Sequence, residues 1–405
     1  RHRTFRAAAF VGLSPGAVPL ALFRGRPLLA EPDAREMRAA ARAGTRWLVG
    51  AVRGNGRFYY RYYPAGRRYQ EEGYNFARHC GTTWGLYLAC QRGEGPEVMR
   101  ATNRTMNWAR AFTRVQDHPG KVQLPMYKTP GPTASGAALT ILAMVEAVRV
   151  GGRRDLLPLA VRLGDLSLES FGHESGRFWS WWDPRSGKPA GELSFIYHPG
   201  EMIWALTGLY EVSGQERFLD AAVKGMVAQV QAEREHYQLT KSLPPDAWTI
   251  QAVEALERVA PPRKEWRDHA FLLADSLLSG QYGSPKGPKP KAPDYTGGMN
   301  NLDPPIPCAA GSRGEGVASA CRLALKAGDA GRAARYRRGL LSAARFALEG
   351  QYRAENSFWL PDPGLAAGGV CRSLTDTRIR IDYVQHCVAT WSAAADLLDL
   401  RPAGK

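Results

Sequence analysis

Six times along this chain of 405 residues, a short polar stretch, often marked by glycine or proline, runs directly into an apolar helical pattern. The six stretches are residues 74–79, 133–136, 198–201, 245–248, 313–316 and 380–383. They lie roughly 50 to 70 residues apart, and this spacing predicts a coarse structural repeat. If the helices that follow them are neighbours, six sets of polar side chains meet at one end of one ring and form a site.

Apolar residues recur near the 3.6-residue period in twelve segments, which predicts an all-α chain of about twelve helices. The predicted helices cover about 34–51, 76–92, 97–113, 137–150, 154–171, 200–213, 216–235, 246–259, 263–281, 315–328, 331–351 and 383–399. Residues 1–30 alternate apolar and basic side chains and contain Pro15 and Pro19, which favours short strands or an extended arm. We therefore expect an N-terminal segment over 1–30 and one helical catalytic domain over 31–405.

The predicted helices alternate in character. Segments such as 216–235 and 332–348 are amphipathic and charged, whereas 137–150 and 315–327 are rich in small and apolar residues. Two concentric rings require this alternation, because outer helices keep a wet face and inner helices pack on both sides. The pattern favours a closed (α/α)6 toroid over an open solenoid of TPR type, whose repeats would be shorter and more uniform.

Three long connectors interrupt the helices, and each precedes a helix of the buried type. Residues 171–198 are rich in aromatic side chains and predict a β-hairpin with its turn at Ser186 and Gly187. Residues 283–312 are rich in Gly, Pro and Lys, which predicts a non-helical, mobile flap, and residues 352–381 form the third connector. Long ordered loops inside a compact domain are usually functional, so we expect all three on the same rim as the six polar stretches.

The chain carries 54 Lys and Arg against 38 Asp and Glu, a net charge of +16. This charge predicts an anionic partner, unless the arginines are simply the default solvated residue of this composition. The lysines at 286, 289 and 291 have no interleaved aromatics and indicate a solvated loop, so nucleic acid is not expected. No uninterrupted apolar run is long enough to predict a membrane span.

No cofactor and no metal are predicted. The phosphate-binding GxxxxGK[ST] loop, a strand-borne GxGxxG and the zinc motif HExxH are all missing from the sequence. None of the six cysteines forms a CxxC pair, and adjacent His-Cys pairs at 79–80 and 386–387 rarely converge on one metal. The sequence begins at Arg1, as a trimmed product would, and a periplasmic or cytoplasmic location and the oligomeric state stay open.

The segment 74–82 is the strongest candidate for chemistry. Helical spacing puts Asn75, His79 and Thr82 on one stripe, with Tyr74 and Arg78 beside it. A histidine there could act as a general acid or base, because its pKa lies close to neutrality. The structural alternative is that Asn75 caps the helix and His79 is a satisfied core residue. The concentration of polar side chains favours the functional interpretation.

Four carboxylates stand at or near predicted helix starts, and three of them have a structural alternative. Glu201 follows His198 with Trp204 one turn later, and Asp246 follows two prolines with Trp248 two residues on. A carboxylate in a first helical turn is also explained by the helix dipole or by capping. Glu315, next to Arg313, fits a capping box with Ser312.

Asp382 is better placed than the other three, because Asp382 and His386 fall one turn apart on one helix face. We therefore expect acid/base chemistry from His79, Glu201, Asp246, Asp382 and His386. We expect substrate contacts from Tyr74, Asn75, Arg78, His198, Trp204, Trp248, Arg313, Glu315, Arg380 and Tyr383. Paired carboxylates would hydrolyse a glycoside, whereas His or Tyr on opposite faces of a sugar would move a carbon-bound proton, as in an epimerase or lyase.

The motifs resemble those of a known group of proteins. The helix start carried by Tyr74, Asn75, Arg78, His79, Gly81 and Thr82, the Pro199-Gly200-Glu201 start and the Asp246-x-Trp248 start are similar to bacterial glucuronyl C5-epimerase-like and N-acylglucosamine 2-epimerase-like (α/α) barrels. The histidine pattern of the second family is approximated by His198 and His386. The resemblance implies a carbohydrate-active (α/α)6 enzyme, with uronate or amino-sugar epimerisation as one activity.

The sequence thus predicts an enzyme that acts on an acidic, uronate-containing saccharide by proton transfer at a sugar carbon. Glycoside hydrolysis or polysaccharide lysis on the same fold is the alternative. A noncatalytic helical scaffold that binds an anionic polymer or a protein is the hypothesis of another class. We expect the arginines at 78, 313, 378 and 380 to bind the anionic group of the ligand, and convergence of the catalytic candidates in one pocket would favour the enzyme.

Overall fold

A computed structural model describes residues 9–11, 20–22, 28–70, 72–113, 132–183, 185–299 and 302–400. Its helices are α1 (Ala34–Gly50), α2 (Phe76–Gln91), α3 (Pro96–Phe112), α4 (Ala134–Arg149), α5 (Leu157–Phe171), α6 (His198–Ser213), α7 (Glu216–Thr240), α8 (Ala247–Leu256), α9 (Lys264–Ser279), α10 (Pro307–Lys326), α11 (Ala330–Glu349), α12 (Ala354–Ser357), α13 (Pro363–Ala366) and α14 (Ile381–Asp399). All twelve helices expected from the apolar period are present. The two additional helices, α12 and α13, are single turns.

Six helices form a closed inner ring. Helices α2, α4, α6, α8, α10 and α14 contact one another in that order, and α14 returns to contact α2. Most of α4 and α10 is buried, including small residues such as Ala137 and Ala318 that let neighbouring helices approach. Because the ring closes, the architecture is the predicted (α/α)6 toroid and not an open solenoid.

The other long helices, α1, α3, α5, α7, α9 and α11, form the outer ring and pack against the inner helices. Each keeps a solvated face, which is the amphipathic pattern expected for an outer layer. In α1, for example, Met37 and Leu48 are buried, while the start is fixed by a capping box in which Asp33 and Glu36 bond each other's backbone N–H. The alternation of helix types in the sequence therefore reports the two layers directly.

The N-terminal ends of the six inner helices meet at one end of the ring, which we call the rim. Residues within the first three turns of these helices, or directly before them, contact each other across helix boundaries, which brings parts of the polar stretches together. The contacts that show this are Arg78–Asp382 between α2 and α14, Ser135–Glu201 between α4 and α6, Tyr197–Asp246 between α6 and α8, and His386–Glu315 between α14 and α10.

Short strands surround the helices. They are β1 (Ala9–Val11), β2 (Leu20–Leu22), β3 (Arg61–Tyr63), β4 (Arg68–Gln70), β5 (Phe178–Asp183), β6 (Lys188–Ser194) and β7 (Ile379–Arg380). Strands β1 and β2 pair antiparallel, and β4, β3 and β7 form a three-stranded sheet in that order. The division of the chain into an N-terminal segment and a helical domain stays a prediction.

The aromatic connector forms the predicted hairpin. Strands β5 and β6 pair antiparallel with Asp183 opposite Lys188. Gly187 in the turn has a φ of +65°, a left-handed conformation that favours glycine, so the turn lies where the sequence placed it. The hairpin runs directly into α6 and therefore into the rim.

The start of α10 corrects the sequence prediction. The helix begins at Pro307, so residues 307–312 are helical, Glu315 lies in the third turn, and Ser312 does not cap it. Glycines suggested a loop here, but they allow close packing: a Cβ on Gly311 would lie 2.9 Å from the backbone carbon of His386. Packing against α14 thus outweighs the low helix propensity of glycine. Whether the remaining loop is a mobile flap stays a prediction.

No helix in the described ranges combines the length and the apolar character that crossing a membrane requires.

Candidate active site

A histidine–carboxylate pair joins α14 to α10 at the rim. Nδ1 of His386 lies 2.8 Å from Oε1 of the buried Glu315. Burial alone would lower the pKa of His386, but the Glu315 carboxylate and, to a smaller extent, the Asp382 charge raise the pKa above the ordinary value. Within the described residues Nε2 of His386 has no hydrogen-bond partner, and the side chain keeps 17% of its surface exposed. The carboxylate therefore orients an imidazole whose other nitrogen is open to a ligand.

Glu201 in the first turn of α6 is the second group with an open atom. The Ser135 hydroxyl from α4 bonds its carboxyl group, while Oε2 is buried with no partner among the described residues. Burial, and to a smaller extent the nearby Asp246 charge, raises the pKa of Glu201 to about 7. His386 is close enough to oppose this shift. A carboxyl group that titrates near neutrality can donate or accept a proton under ordinary conditions.

Local sequence explains how Glu201 reaches the rim. Gly200 packs against α8, where an added Cβ would lie 2.5 Å from the backbone nitrogen of Thr249. Only glycine permits this approach, which brings the first turns of α6 and α8 together. The Pro199-Gly200-Glu201 motif is therefore a device for helix packing as well as a source of the carboxylate.

Asp382 is an ionised carboxylate held by two arginines. Arg380 binds it through two bonds of 2.5 and 2.7 Å, and Nε of Arg78 lies 3.2 Å from Oδ2. Burial by itself would raise the pKa of Asp382, but Arg380 and then Arg78 outweigh it and hold the pKa below the ordinary value. Arg78 also donates to the Tyr60 hydroxyl at 2.8 Å. With both oxygens engaged, Asp382 positions the two guanidinium groups and is a poor base.

Asp246 is the N-cap of α8. Its carboxylate accepts from the backbone N–H of Trp248 at 2.8 Å, the N–H of Tyr197 at 3.0 Å and the hydroxyl of Thr249 at 3.1 Å. Burial raises the pKa of Asp246, and these backbone donors partly offset the rise. Because both oxygens accept hydrogen bonds, the geometry favours the capping role and offers no free atom for catalysis.

Tyr197 was not predicted as a site residue, yet it stands at the rim in an unusual conformation. Its φ of 61° and ψ of −65° form a γ-turn, closed by the His198 N–H bonding the Ile196 carbonyl at 2.8 Å. Its ring is 42% exposed. Such a non-glycine residue stores about 1–3 kcal/mol of strain, and strain of this kind concentrates at functional sites.

Arg313 lies near Tyr197 and is the rim cation without a counter-charge. Burial lowers its pKa, and the interaction with the Tyr197 phenol opposes this only in part. Its side chain makes no ion pair or hydrogen bond in the described part of the chain. A half-buried guanidinium of this kind favours an anionic ligand, because it has already lost much of its water.

The segment 74–79 does not reach the rim as a whole. Asn75 caps α2 through the N–H of Arg78 at 2.9 Å. His79 is fully buried between Tyr74, whose hydroxyl lies 2.6 Å from Nδ1, and the Thr105 carbonyl, 3.0 Å from Nε2. Burial lowers the pKa of His79 to about 3. Against the sequence prediction, the structure places His79 and Tyr74 in the core, because both ring nitrogens are satisfied there, and leaves only Arg78 at the rim.

Three tryptophans from inner helices form a cluster. The ring centroid of Trp84 lies 5.0 Å from that of Trp204 and 6.0 Å from that of Trp248, and the latter two are 5.9 Å apart. Trp204 and Trp248 were expected to contact substrate and are half-buried, whereas Trp84 was not singled out. Its signal in the sequence is its position two turns into α2, where inner helices approach one another.

Two further predicted contacts lie at the rim. His198, the first residue of α6, is half-buried, its Nδ1 has no partner among the described residues, and burial lowers its pKa. Tyr383 is buried with the Arg380 guanidinium 4.2 Å from its ring centroid.

The described residues contain no group of three or more His, Cys, Asp or Glu side chains arranged to hold a metal ion.

A cavity of about 380 Å³ lies elsewhere, on the outer wall between α9 and α11. Its carboxylate, Asp275, is paired with Arg335 at 2.5 Å, and no histidine lines it. The rim, where His386 and Glu201 have open atoms, is therefore the candidate active site.

Comparison with known proteins bears on the fold. No family model and no curated protein matches the chain, but solved structures do. A D-mannose isomerase has 15% identity and a TM-score of 0.65, with 90% of this chain and 96% of the isomerase covered. Cellobiose 2-epimerase from Spirochaeta thermophila has 14% identity and a TM-score of 0.62, with 90% and 97% covered.

An α-1,6-mannanase of Salegentibacter is similar in the same way, with 14% identity, a TM-score of 0.59, and 89% and 99% of the two chains covered. Since an isomerase, an epimerase and a mannanase share this architecture, the fold leaves the chemistry to the residues at the rim. The likeness confirms, at the level of fold, the resemblance inferred from the sequence: the chain is an (α/α)6 toroid of the kind found in sugar epimerases and mannanases.

Proposed function

We propose that this protein is a carbohydrate-active enzyme that epimerises a sugar by moving a proton at one carbon. The observation that carries the proposal is that Nε2 of His386 and Oε2 of Glu201, from separate inner helices, have no hydrogen-bond partner among the described residues. The pKa of Glu201 is raised to about 7, chiefly by burial, and His386 lies close enough to oppose this rise. Two such groups on opposite faces of a sugar are what removal and return of a proton require.

In this mechanism Nε2 of His386 takes the proton from the sugar carbon. The C–H electron pair passes to the adjacent carbonyl or carboxylate group, which becomes an enolate. Protonated Glu201 then gives its proton to the same carbon from the other face, so that the new C–H bond has inverted configuration. Glu315 stabilises the imidazolium that forms, and the buried site keeps water from the enolate.

An acidic sugar suits the charges at the rim. The free guanidinium of Arg313 offers a counter-ion for a carboxylate, and Arg78 and Arg380 are held in place by Asp382. A uronate carboxylate bound by these groups would accept the electron pair from its neighbouring carbon. Arginine would then neutralise the developing negative charge, and this electrostatic stabilisation is strongest in a partly desolvated site.

Glycoside hydrolysis is the second candidate, because burial and arginine push the pKa values of Glu201 and Asp382 in opposite directions, as in an acid and base pair. Three of the four expected carboxylates, however, are engaged with arginines, backbone N–H groups or His386. The mannanase named above is inactivated by replacing two adjacent aspartates. This chain contains no two consecutive aspartates in its sequence.

One experiment separates the two reactions. The protein is incubated in deuterated water with glucuronate, heparosan and alginate oligosaccharides, and with mannose and cellobiose as neutral controls, and the products are followed by NMR. Deuterium that enters a sugar carbon without chain cleavage supports epimerisation. New reducing ends without deuterium at carbon would overturn it in favour of hydrolysis, and neither change in any sugar would favour a noncatalytic binding protein.

A further inference from the structure

The small sheet of β4, β3 and β7 adjoins the rim. Strand β7 leads without a break into α14, so that Arg380 belongs both to the sheet and to the ion cluster around Asp382. In the antiparallel register Arg61 lies opposite Arg380 on one side and opposite Gln70 on the other, and Tyr63 lies opposite Arg68. Anything bound along this sheet would reach the rim at Arg380.

The two faces of this sheet differ in chemistry. Because side chains alternate along strands, Tyr62 and Ile379 share one face, and both are fully buried. The other face, which we call the arginine face, carries Arg61, Tyr63, Arg68, Gln70 and Arg380. The alternation thus places polar and basic side chains on one face.

The charges on the arginine face are not balanced. Arg61 and Arg380 stand directly opposite each other on neighbouring strands, an arrangement of like charges that destabilises a sheet. Arg380 is neutralised by Asp382, but Arg61 and the exposed Arg68 make no ion pair with any residue in the described ranges. An anion bound along these strands would supply a counter-charge for Arg61 and Arg68.

The arginines are also held ready for such an anion. The guanidinium carbons of Arg61 and Arg68 each lie 5.2 Å from an aromatic ring centroid, that of Tyr60 and that of Tyr63 respectively. Stacking of this kind restrains a guanidinium while leaving its N–H edge free for carboxylate. Tyr63 donates to Gln70 at 2.7 Å, so hydroxyl and amide groups that suit sugar hydroxyls lie between the charges.

We propose that the arginine face is a second binding site, which holds the neighbouring uronate residues of an acidic saccharide chain whose terminal or central unit occupies the rim. This inference rests on the proposed function for the chemical class of its ligand. Neighbouring strands are about 4.8 Å apart, so the cations on β3 and β4 form a track instead of a single point of contact. The ligand is therefore a polyanionic saccharide and not a lone acidic sugar.

Affinity electrophoresis through gels that contain polygalacturonate tests the site. The double variant R61Q/R68Q removes two charges that have no ion pair among the described residues. As a matched control, R162Q/R338Q removes the same number from exposed positions on α5 and α11 that likewise have no ion pair within the described ranges. At low ionic strength we expect R61Q/R68Q to bind the polymer about tenfold more weakly than wild type, and the control to stay within about twofold. Circular dichroism establishes that both variants are folded.

Equal weakening in the two variants would mean that net charge alone attracts the polymer, and would overturn the site. Unchanged affinity of R61Q/R68Q would do the same. Polyuridylate serves as a competitor. If it displaced polygalacturonate preferentially, the ligand of the arginine face would be a nucleic acid and not a saccharide. Failure of the proposed reaction is recognised separately: wild type would then exchange no deuterium, while the affinity difference between the two double variants would persist.

Discussion

His79 in the first turn of α2 and His386 in the second turn of α14 lie on adjacent inner helices, yet their surroundings give them opposite properties. His79 has both nitrogens bonded inside the core, and burial lowers its pKa to about 3. His386 has one nitrogen held by Glu315, and that charge raises its pKa. The difference teaches that the partners of a histidine, and not its motif, decide whether it can exchange protons at neutral pH.

The largest effect is expected from H386N. Asparagine can still donate to Glu315, so the helix contact is kept while the base is lost. We expect deuterium exchange into the substrate to fall about thousandfold, the range typical for loss of a general base. The measurement is the NMR exchange rate under saturating sugar. A rate near that of wild type would show that His386 is not the base, and the functional contrast between His386 and His79 would then be lost.

The next largest effect is expected from E201Q, which removes the second acid/base atom. Exchange should fall about hundredfold. In wild type the rate should decline above about pH 7, where Glu201 loses its proton, and this alkaline decline should be missing from the residual activity of E201Q. The measurement is the pH dependence of kcat/KM.

Stability supplies the control for E201Q. The folded pKa of Glu201 is raised, so its proton is bound more tightly in the folded state, and stability is lost as pH rises from about 4.5 to about 7. The neutral glutamine avoids this loss. We therefore expect E201Q to unfold at a higher temperature than wild type at pH 8, with the difference vanishing near pH 4. A lower melting temperature at pH 8 would contradict the buried, protonatable carboxyl.

The H79F variant tests whether His79 has a structural role only. Phenylalanine removes the hydrogen bonds that His79 makes with the Tyr74 hydroxyl and the Thr105 carbonyl, which should lower the free energy of unfolding by about 2–3 kcal/mol at pH 7. Because the pKa of His79 is lowered on folding, wild type loses stability as pH falls from 6.5 towards 3. The difference in free energy of unfolding between wild type and H79F, measured by urea denaturation, should therefore become smaller as the pH falls.

For H79F the exchange rate per folded molecule should stay within about threefold of wild type, because the side chain does not reach the rim. A loss comparable to that of H386N would return His79 to the active site and overturn the distinction between the two histidines.

The smallest effect concerns Tyr197. At a φ of 61° glycine is unstrained and alanine is not, so Y197G should be more stable than Y197A by about 1 kcal/mol, although it lacks the same ring. Both variants should raise KM several-fold with little change in kcat if the ring contacts the sugar. Calorimetric melting and steady-state kinetics measure these two quantities. Equal stability of the two variants would mean that the γ-turn stores no strain.

The sequence predicted which helices begin at the rim, but it did not predict which side chains contact each other there. The 3.6-residue period located every long helix, because each one buries a continuous apolar stripe. The start of α10 was placed too late, since Gly311 was interpreted as a loop residue when its function is contact with α14. Periodicity reports which face is buried, but it does not report how closely two helices approach.

The pairings depend on register between helices that are far apart in sequence. Spacing on one helix suggested that Asp382 and His386 act together, but Asp382 is held by Arg380 and Arg78, and His386 by Glu315. Likewise, the capping alternatives for Asn75 and Asp246 could be stated from sequence, yet only the observed N–H contacts decided between capping and catalysis.

Helix α14 closes the inner ring against α2, packs on α1, and carries both the proposed base and the Asp382 ion cluster. During synthesis it is the last of the described helices to leave the ribosome, about 300 residues after α1 and α2 have emerged. The wall of the toroid and the candidate active site are therefore completed by the same late event. A nascent chain would therefore lack the proposed activity until α14 has docked, and docking of this one long-range element should limit the rate of folding.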